Sequence, residues 1–233
     1  MLLALLLPLA QTPTPPSDPA AGLVLPAERY GALVGAPPAA GSREEADDLA
    51  ILRWLQRSRT RDAVRRTWSF LSRSLSRFDA AVGADLNRTA PTLVAGLPSF
   101  LRVITTVKDE LKTSSGRPRP FLVHPDLRPC LPLEDSPAYP SGHALWYAAA
   151  GQLLADLLPE RSQRLQEVGR QGGFARVTCG VHYPSDVDAS QRLAAAMVAD
   201  VIASPQWRAF RERTRDERQR LQQLPSADLP DLD

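Results

Sequence analysis

Lysine is almost missing from this sequence: among its 28 lysine and arginine residues only Lys108 and Lys112 are lysine. That bias, with abundant alanine, proline and leucine, is the mark of a GC-rich coding sequence. The formal net charge is only +2, and the arginines are interspersed with Asp and Glu, so composition provides no field that would gather nucleic acid. Nucleic acid is not an expected partner. Cysteine is equally scarce, and neither Cys130 nor Cys179 has a companion at zinc-site spacing. Beyond residue 10 no run approaches the roughly 18 uninterrupted apolar residues of a membrane-spanning helix, so stable membrane insertion is not expected. Alternating strand patterns and internal repeats are also missing, which leaves an all-α fold class. At 233 residues the chain is long enough for one domain with tails and a sizeable core.

The apolar run that does exist lies at residues 2–10 and ends in small residues before Gln11. It reads as the core of a secretory signal peptide, with cleavage after Ala10 or somewhat later, and predicts a periplasmic or secreted protein. No basic segment precedes it, which leaves open a misassigned start codon or a lipid-facing anchor. In an exported chain the cysteine pair suggests a Cys130–Cys179 disulfide; two unpaired buried thiols are the alternative. Closing a loop of about 50 residues would stabilise the fold by roughly 4 kcal/mol. Residues 11–41 carry seven prolines, at 13, 15, 16, 19, 26, 37 and 38, and read as an extended arm without a core of its own. The expected division is then an ordered domain over 42–224 and a tail over 225–233.

Ser42 and Glu45 form a capping box that opens a helix with Leu49, Ile51, Leu52 and Leu55 as its apolar stripe. A second helix is predicted over 61–81 with Val64, Trp68, Leu71 and Leu75 on one face, and a third over about 90–112 through Leu93, Leu97, Leu101, Ile104 and Val107. From 113 to 142 the periodicity fails among Pro118, Pro120, Pro125, Pro129, Pro132, Pro137 and Pro140. A loop of that length inside a compact domain is uncommon unless it is functional. Helical patterns return at about 143–158, 160–177, 185–203 and 206–224.

Three clusters carry candidate chemistry. The first holds Lys112, Arg117 and Arg119 on a proline-stiffened turn: guanidinium forks match phosphate oxygens bidentately, and lysine acts as a point charge. Alone, such a turn is commonly a solvated loop. The second is Tyr139-Pro140-Ser141-Gly142-His143, where a hydroxyl, a glycine that permits close approach and the free N–H groups of a helix start could converge on an anion; a simple helix cap is the alternative. The third runs from Arg176 through His182 to Asp186. A carboxylate four residues after a histidine can take one imidazole N–H and leave the other nitrogen free to attack, although a histidine satisfied in the core fits the same spacing. Two of the three histidines and one of the two lysines fall inside these clusters. His124 stands apart from them.

Lys-x6-Arg-Pro, Pro-Ser-Gly-His and Arg-x5-His-x3-Asp, in that order, resemble the three-part signature of the type 2 phosphatidic acid phosphatase (PAP2) superfamily, which includes class A bacterial acid phosphatases and vanadium haloperoxidases. The similarity is most extended with the acid phosphatases, through Arg117-Pro-Arg-Pro-Phe121 and the stretch from Cys179 to Ala189. The resemblance implies a compact helical bundle and an exported acid phosphatase acting on small phosphomonoesters. It implies that Lys112, Arg119 and Arg176 hold the phosphate, with Ser141 and the Gly142 N–H adding hydrogen bonds. His182 would be the nucleophile, Asp186 its orienting group and His143 the acid and later base. No metal or other cofactor is implied, since arginine and lysine supply the charge stabilisation. One departure is Ala175, where the family usually has serine. The alternatives are a haloperoxidase holding vanadate on the same residues and an exported helical protein that binds phosphate without turning it over. Substrate choice is expected in the arm before Ser42 and the loop over 121–138; the oligomeric state, a homo-oligomer included, is left open.

Overall fold

The computed structural model describes residues 18–225 and 229–232, so the signal-peptide reading of residues 1–10 and the start of the arm lie outside the described residues. The chain forms α1 (Ala27–Val34), α2 (Arg43–Ser58), α3 (Arg61–Ser69), α4 (Asp79–Val82), α5 (Leu86–Thr89), α6 (Pro91–Ser115), α7 (Pro120–Val123), α8 (Gly142–Leu157), α9 (Ser162–Thr178), α10 (Pro184–Ala203), α11 (Pro205–Arg213) and α12 (Arg215–Gln222). No strand occurs among the described residues, and no helix there is long and apolar enough to cross a membrane.

The bundle is assembled around α8. Ala144 through Ala150 are all buried, and Leu153, Leu154 and Leu157 continue the apolar surface. A helix apolar on every side has to be enclosed, and α6, α9 and α10 enclose it. Each leucine so buried stabilises the fold by about 1.5–3 kcal/mol. On α6, Leu93, Leu97, Phe100, Leu101, Ile104 and Val107 face this core. Phe100 then meets Trp207 of α11 edge to face at 5.0 Å.

Several sequence boundaries are corrected. The arm is not extended up to Ser42: Ala27–Val34 is helical, and Ala20, Leu25, Tyr30 and Val34 join the main core. This stretch is free of proline between Pro26 and Pro37, and Tyr30 and Val34 sit four apart on one face. The capping box of α2 keeps one half, with Ser42 Oγ accepting from Glu45 N at 3.2 Å, while the Glu45 carboxylate accepts from Gly41 N at 2.7 Å. Ile51 and Trp68, read as core positions, are exposed.

The helix predicted over 61–81 stops at Ser69. Continuing it would have used the carbonyls of Leu71 and Ser72, which instead accept from His143 Nε2 at 3.0 Å and from the Tyr147 hydroxyl at 2.6 Å. The last predicted helix divides at Thr214 into α11 and α12. Cys130 and Cys179 form a disulfide, fastening the proline-rich loop to the turn after α9.

Candidate active site

Four helix ends meet at one point. The C-terminal half of α6 buries Lys108 and Lys112, four residues apart on one face and near the end of the helix whose dipole favours cations. The chain leaves α6 through Arg117-Pro118-Arg119-Pro120 with both arginines buried. Opposite them α8 begins. Ser141 is its N-cap, and Gly142 and His143 are its first residues, where backbone N–H groups have no helical partner. A Cβ at residue 142 would lie 3.0 Å from Arg73 Nη2 and 3.4 Å from Lys108 Nζ, so glycine there lets two cations approach the helix start.

The third motif is shaped by a reversal. Gly180, at φ 67°, turns the chain after α9, and Val181 N donates to the Arg176 carbonyl at 3.1 Å, bringing His182 back beside Arg176. Pro184 then starts α10, and Asp186, in its first turn, accepts Tyr183 N at 2.8 Å. Asp186 Oδ2 lies 3.2 Å from His182 Nδ1, and Arg119 Nη1 lies 3.1 Å from His182 Nε2. A guanidinium can only donate, so the Nε2 lone pair faces Arg119 and the Nδ1 proton goes to Asp186.

Between the arginines lies Glu134. Its carboxylate accepts from Arg119 Nη2 at 2.8 Å and from Arg176 Nη2 at 2.5 Å. Arg119 is further held by the Ser136 carbonyl at 2.9 Å and hydroxyl at 3.1 Å and by the Val181 carbonyl at 3.0 Å. Arg176 is fully buried, yet its Nε and Nη1 have no hydrogen-bond partner among the described residues. Buried donors of this kind ordinarily find a partner.

The electrostatics follow from packing cations into a largely buried site. Burial, then Arg119, Arg176 and Lys112, holds the His182 imidazole well below its ordinary range, and so neutral. Burial, then Arg176 and Arg73, takes His143 down to about 4. Lys112 falls to about 8, through burial and the neighbouring Arg119 and Lys108. Burial pushes Asp186 up to about 6 against the pull of Arg117. For Glu134, burial pulls upward, but Arg119 and Arg176 outweigh it and bring the carboxyl down to about 2.

The residues singled out from sequence thus converge. Arg119, Arg176, His182 and Asp186 are linked directly or through Glu134, and Lys112 lies within electrostatic reach of Arg119, Glu134 and Asp186. His143 feels Arg176 and Glu134 from the start of α8. Ser141 Oγ is engaged as a cap, 3.5 Å from Ala144 N, while Ser141 N donates to the Asp186 carbonyl at 3.2 Å and ties the second motif to the third. Ala175 packs in the core and lines a cavity of about 260 Å³ with Thr67, Phe70 and Phe174.

Sequence reasoning missed Glu134, Arg73 and Asp48, and gave Arg117 no separate role. Glu134 and Arg73 carry no periodic signal. Asp48 did: it precedes Leu52 by four residues and Leu55 by seven, so it occupies the buried stripe of α2, where a carboxylate needs a partner.

Comparisons with known proteins bear on the family and the fold. A model of the PAP2 superfamily matches residues 92–210, just over half of the chain. The non-specific acid phosphatase of Salmonella typhimurium is 31% identical over 149 residues, 60% of this chain and 58% of that protein. The acid phosphatase of Zymomonas mobilis is 28% identical over 169 residues, 69% of this chain and 62% of its own. The chain therefore covers less than two thirds of either relative. Among solved structures, the transmembrane PAP2-type phosphatidylglycerolphosphate phosphatase of Bacillus subtilis is similar in fold. Its TM-score is 0.54 at 18% identity, and the match covers 80% of this chain and 92% of that one.

Proposed function

The chain belongs to the PAP2 superfamily, and we propose that it is an exported acid phosphatase that hydrolyses phosphomonoesters through a covalent phosphohistidine on His182. One observation carries the reading: two buried arginines converge on a single carboxylate, and the Nε2 lone pair of a neutral histidine faces one of them, Arg119. A phosphoryl group offers more acceptor oxygens than Glu134 does, enough to engage the unpartnered Nε and Nη1 of Arg176 as well. The names of the two relatives favour phosphate over vanadate as the anion.

In this scheme Arg119, Arg176 and Lys112 grip the phosphate oxygens, with Ser141 and the Gly142 N–H completing the cradle. His182 Nε2 attacks phosphorus while Asp186 holds the Nδ1 proton. The P–N bond forms, the P–O ester bond breaks, and the leaving alkoxide takes a proton from His143. Water then attacks the phosphohistidine, His143 accepts its proton, the P–N bond breaks and phosphate leaves. The charge that builds on the transferring group is met by fixed guanidinium and ammonium groups, so no step calls for a metal ion. Export is supported by the apolar run at residues 2–10 and by the disulfide.

The test is hydrolysis of a panel of phosphomonoesters, p-nitrophenyl phosphate included, with vanadate as inhibitor. The wild-type protein should release phosphate, and His182→Ala should lose the activity by three orders of magnitude or more, on the scale of removing a nucleophile. Phosphate release by His182→Ala at the wild-type rate would refute the scheme. Calorimetric phosphate binding without any turnover would make the protein a phosphate binder instead.

A further inference from the structure

Asp48 lies outside the family-matched segment, yet it is buried against the motif that carries His182. Its Oδ1 accepts Ser185 N at 3.0 Å, and its Oδ2 accepts the Ser185 hydroxyl and, at 3.2 Å, Arg117 Nη2. The other fork of the same guanidinium, Nη1, donates to Asp186 Oδ1 at 2.6 Å and to Ser185 Oγ at 2.7 Å. The Arg117 guanidinium also stacks on the Tyr183 ring, 3.8 Å from its centroid. His182, Asp186, Arg117 and Asp48 thus form one buried chain of alternating donors and acceptors.

The connectivity matters more than the charge. An arginine facing a lone carboxylate prefers a bidentate fork, with one N–H on each oxygen. Arg117 does not adopt it with Asp186, because its second fork is drawn to Asp48. Asp186 Oδ2 is thereby left to His182 Nδ1 and Tyr183 N. If Arg117 closed on both oxygens, it would compete directly for the acceptor that orients the imidazole.

We infer that Asp48 is a positioning residue: by diverting one arm of Arg117, α2 keeps Asp186 Oδ2 free to orient His182. Arg117 is the intermediary, and neither residue touches the phosphate cradle. The inference rests on the assignment of His182 as nucleophile only for its kinetic consequence; the orientation of the ring can be read independently.

The experiment compares Asp48→Ala and Asp48→Asn with the wild-type full chain. With p-nitrophenyl phosphate, Asp48→Ala should lower kcat by about tenfold, because a small misalignment of a reacting atom is costly. Inhibition by inorganic phosphate should change less than about twofold, since the cradle is intact. Asp48→Asn keeps the shape and one acceptor oxygen, and should lower kcat by about threefold.

Nuclear magnetic resonance supplies the readout that a merely structural role would not move. With three histidines in the chain, the Nδ1 proton of His182 can be assigned by substitution, and in Asp48→Ala it should move upfield and exchange faster. Asp48→Asn should move it part of the way and serves as the test if the alanine variant does not fold. Wild-type kcat and an unmoved His182 signal in either folded variant would overturn the inference, even if the melting temperature falls. If the wild-type protein releases no phosphate, the phosphatase reading fails, and the His182 signal still decides the role of Asp48.

Discussion

Replacing Glu134 with glutamine should make the protein bind phosphate more tightly, although it deletes two ion pairs. The Glu134 carboxylate sits between Arg119 and Arg176, where the proposed substrate phosphate has to go. Its carboxyl is held at about 2, so mild acid does not release it and the phosphate must displace it. Two charge-assisted hydrogen bonds would together be worth about 3–6 kcal/mol if fully desolvated. The Glu134 side chain is 37% exposed, however, and screening of a solvent-facing pair reduces its competitive weight to about 1–2 kcal/mol. At about 1.4 kcal/mol per factor of ten, Glu134→Gln should lower the inhibition constant of inorganic phosphate by about tenfold. The phosphate-free variant should also melt earlier, because Arg119, Arg176 and Lys112 then face one another without the charge of Glu134 between them, and phosphate at a hundred times its Kd should restore about 2.7 kcal/mol. Titrating phosphate against p-nitrophenyl phosphate turnover, with thermal melts alongside, measures both effects. Unchanged or weaker inhibition in a folded Glu134→Gln protein would refute this competition.

Other outcomes follow from the same geometry. Because burial, Arg176 and Arg73 hold His143 at about 4, its protonated fraction in the free enzyme grows as pH falls, so kcat/KM should rise from pH 8 towards pH 5. His143→Asn should lower kcat and flatten that rise in a pH-rate profile. Lys112, depressed to about 8, should regain its proton when an anion arrives beside it, so phosphate binding at pH 8 should take up protons. Calorimetry in buffers of different ionisation heat should detect that uptake in the wild type and lose it in Lys112→Met. In the phosphate-free protein the same depression makes the Lys112 contribution to stability grow as pH rises from about 8 to 10.5, since the unfolded chain then holds the proton the folded one has released. Replacing both Cys130 and Cys179 by serine should cost about 2–4 kcal/mol in a denaturant titration, with reduced kcat, because the bond fastens the turn that leads into His182.

How far the sequence could be read depended on the kind of signal. Helices with a full apolar stripe, such as α6 and α10, lie within a few residues of where periodicity put them. The helix over 61–81 failed because its central carbonyls are claimed by His143 and Tyr147, a tertiary demand that no local pattern announces. The helix at Ala27–Val34 was hidden by the prolines around it. The residues of the three motifs were legible by residue type and spacing, and the fold gathers them. Glu134 was not, because a single acidic residue in a proline-rich loop has no period and no motif. Asp48 was missed, although its position in the stripe with Leu52 and Leu55 marks it as a buried carboxylate in need of a partner.

The central claim is that a phosphoryl group passes through His182. Mixing the protein rapidly with a phosphorus-labelled monoester and quenching within the first turnover tests it directly. A phosphoramidate on histidine survives base and is lost in acid. The wild-type chain should retain label after an alkaline quench and lose it on acidification, with the label mapped to the peptide containing His182, while His182→Ala retains none. Turnover with no trapped label under these conditions, or label in His182→Ala equal to that of the wild type, would contradict it.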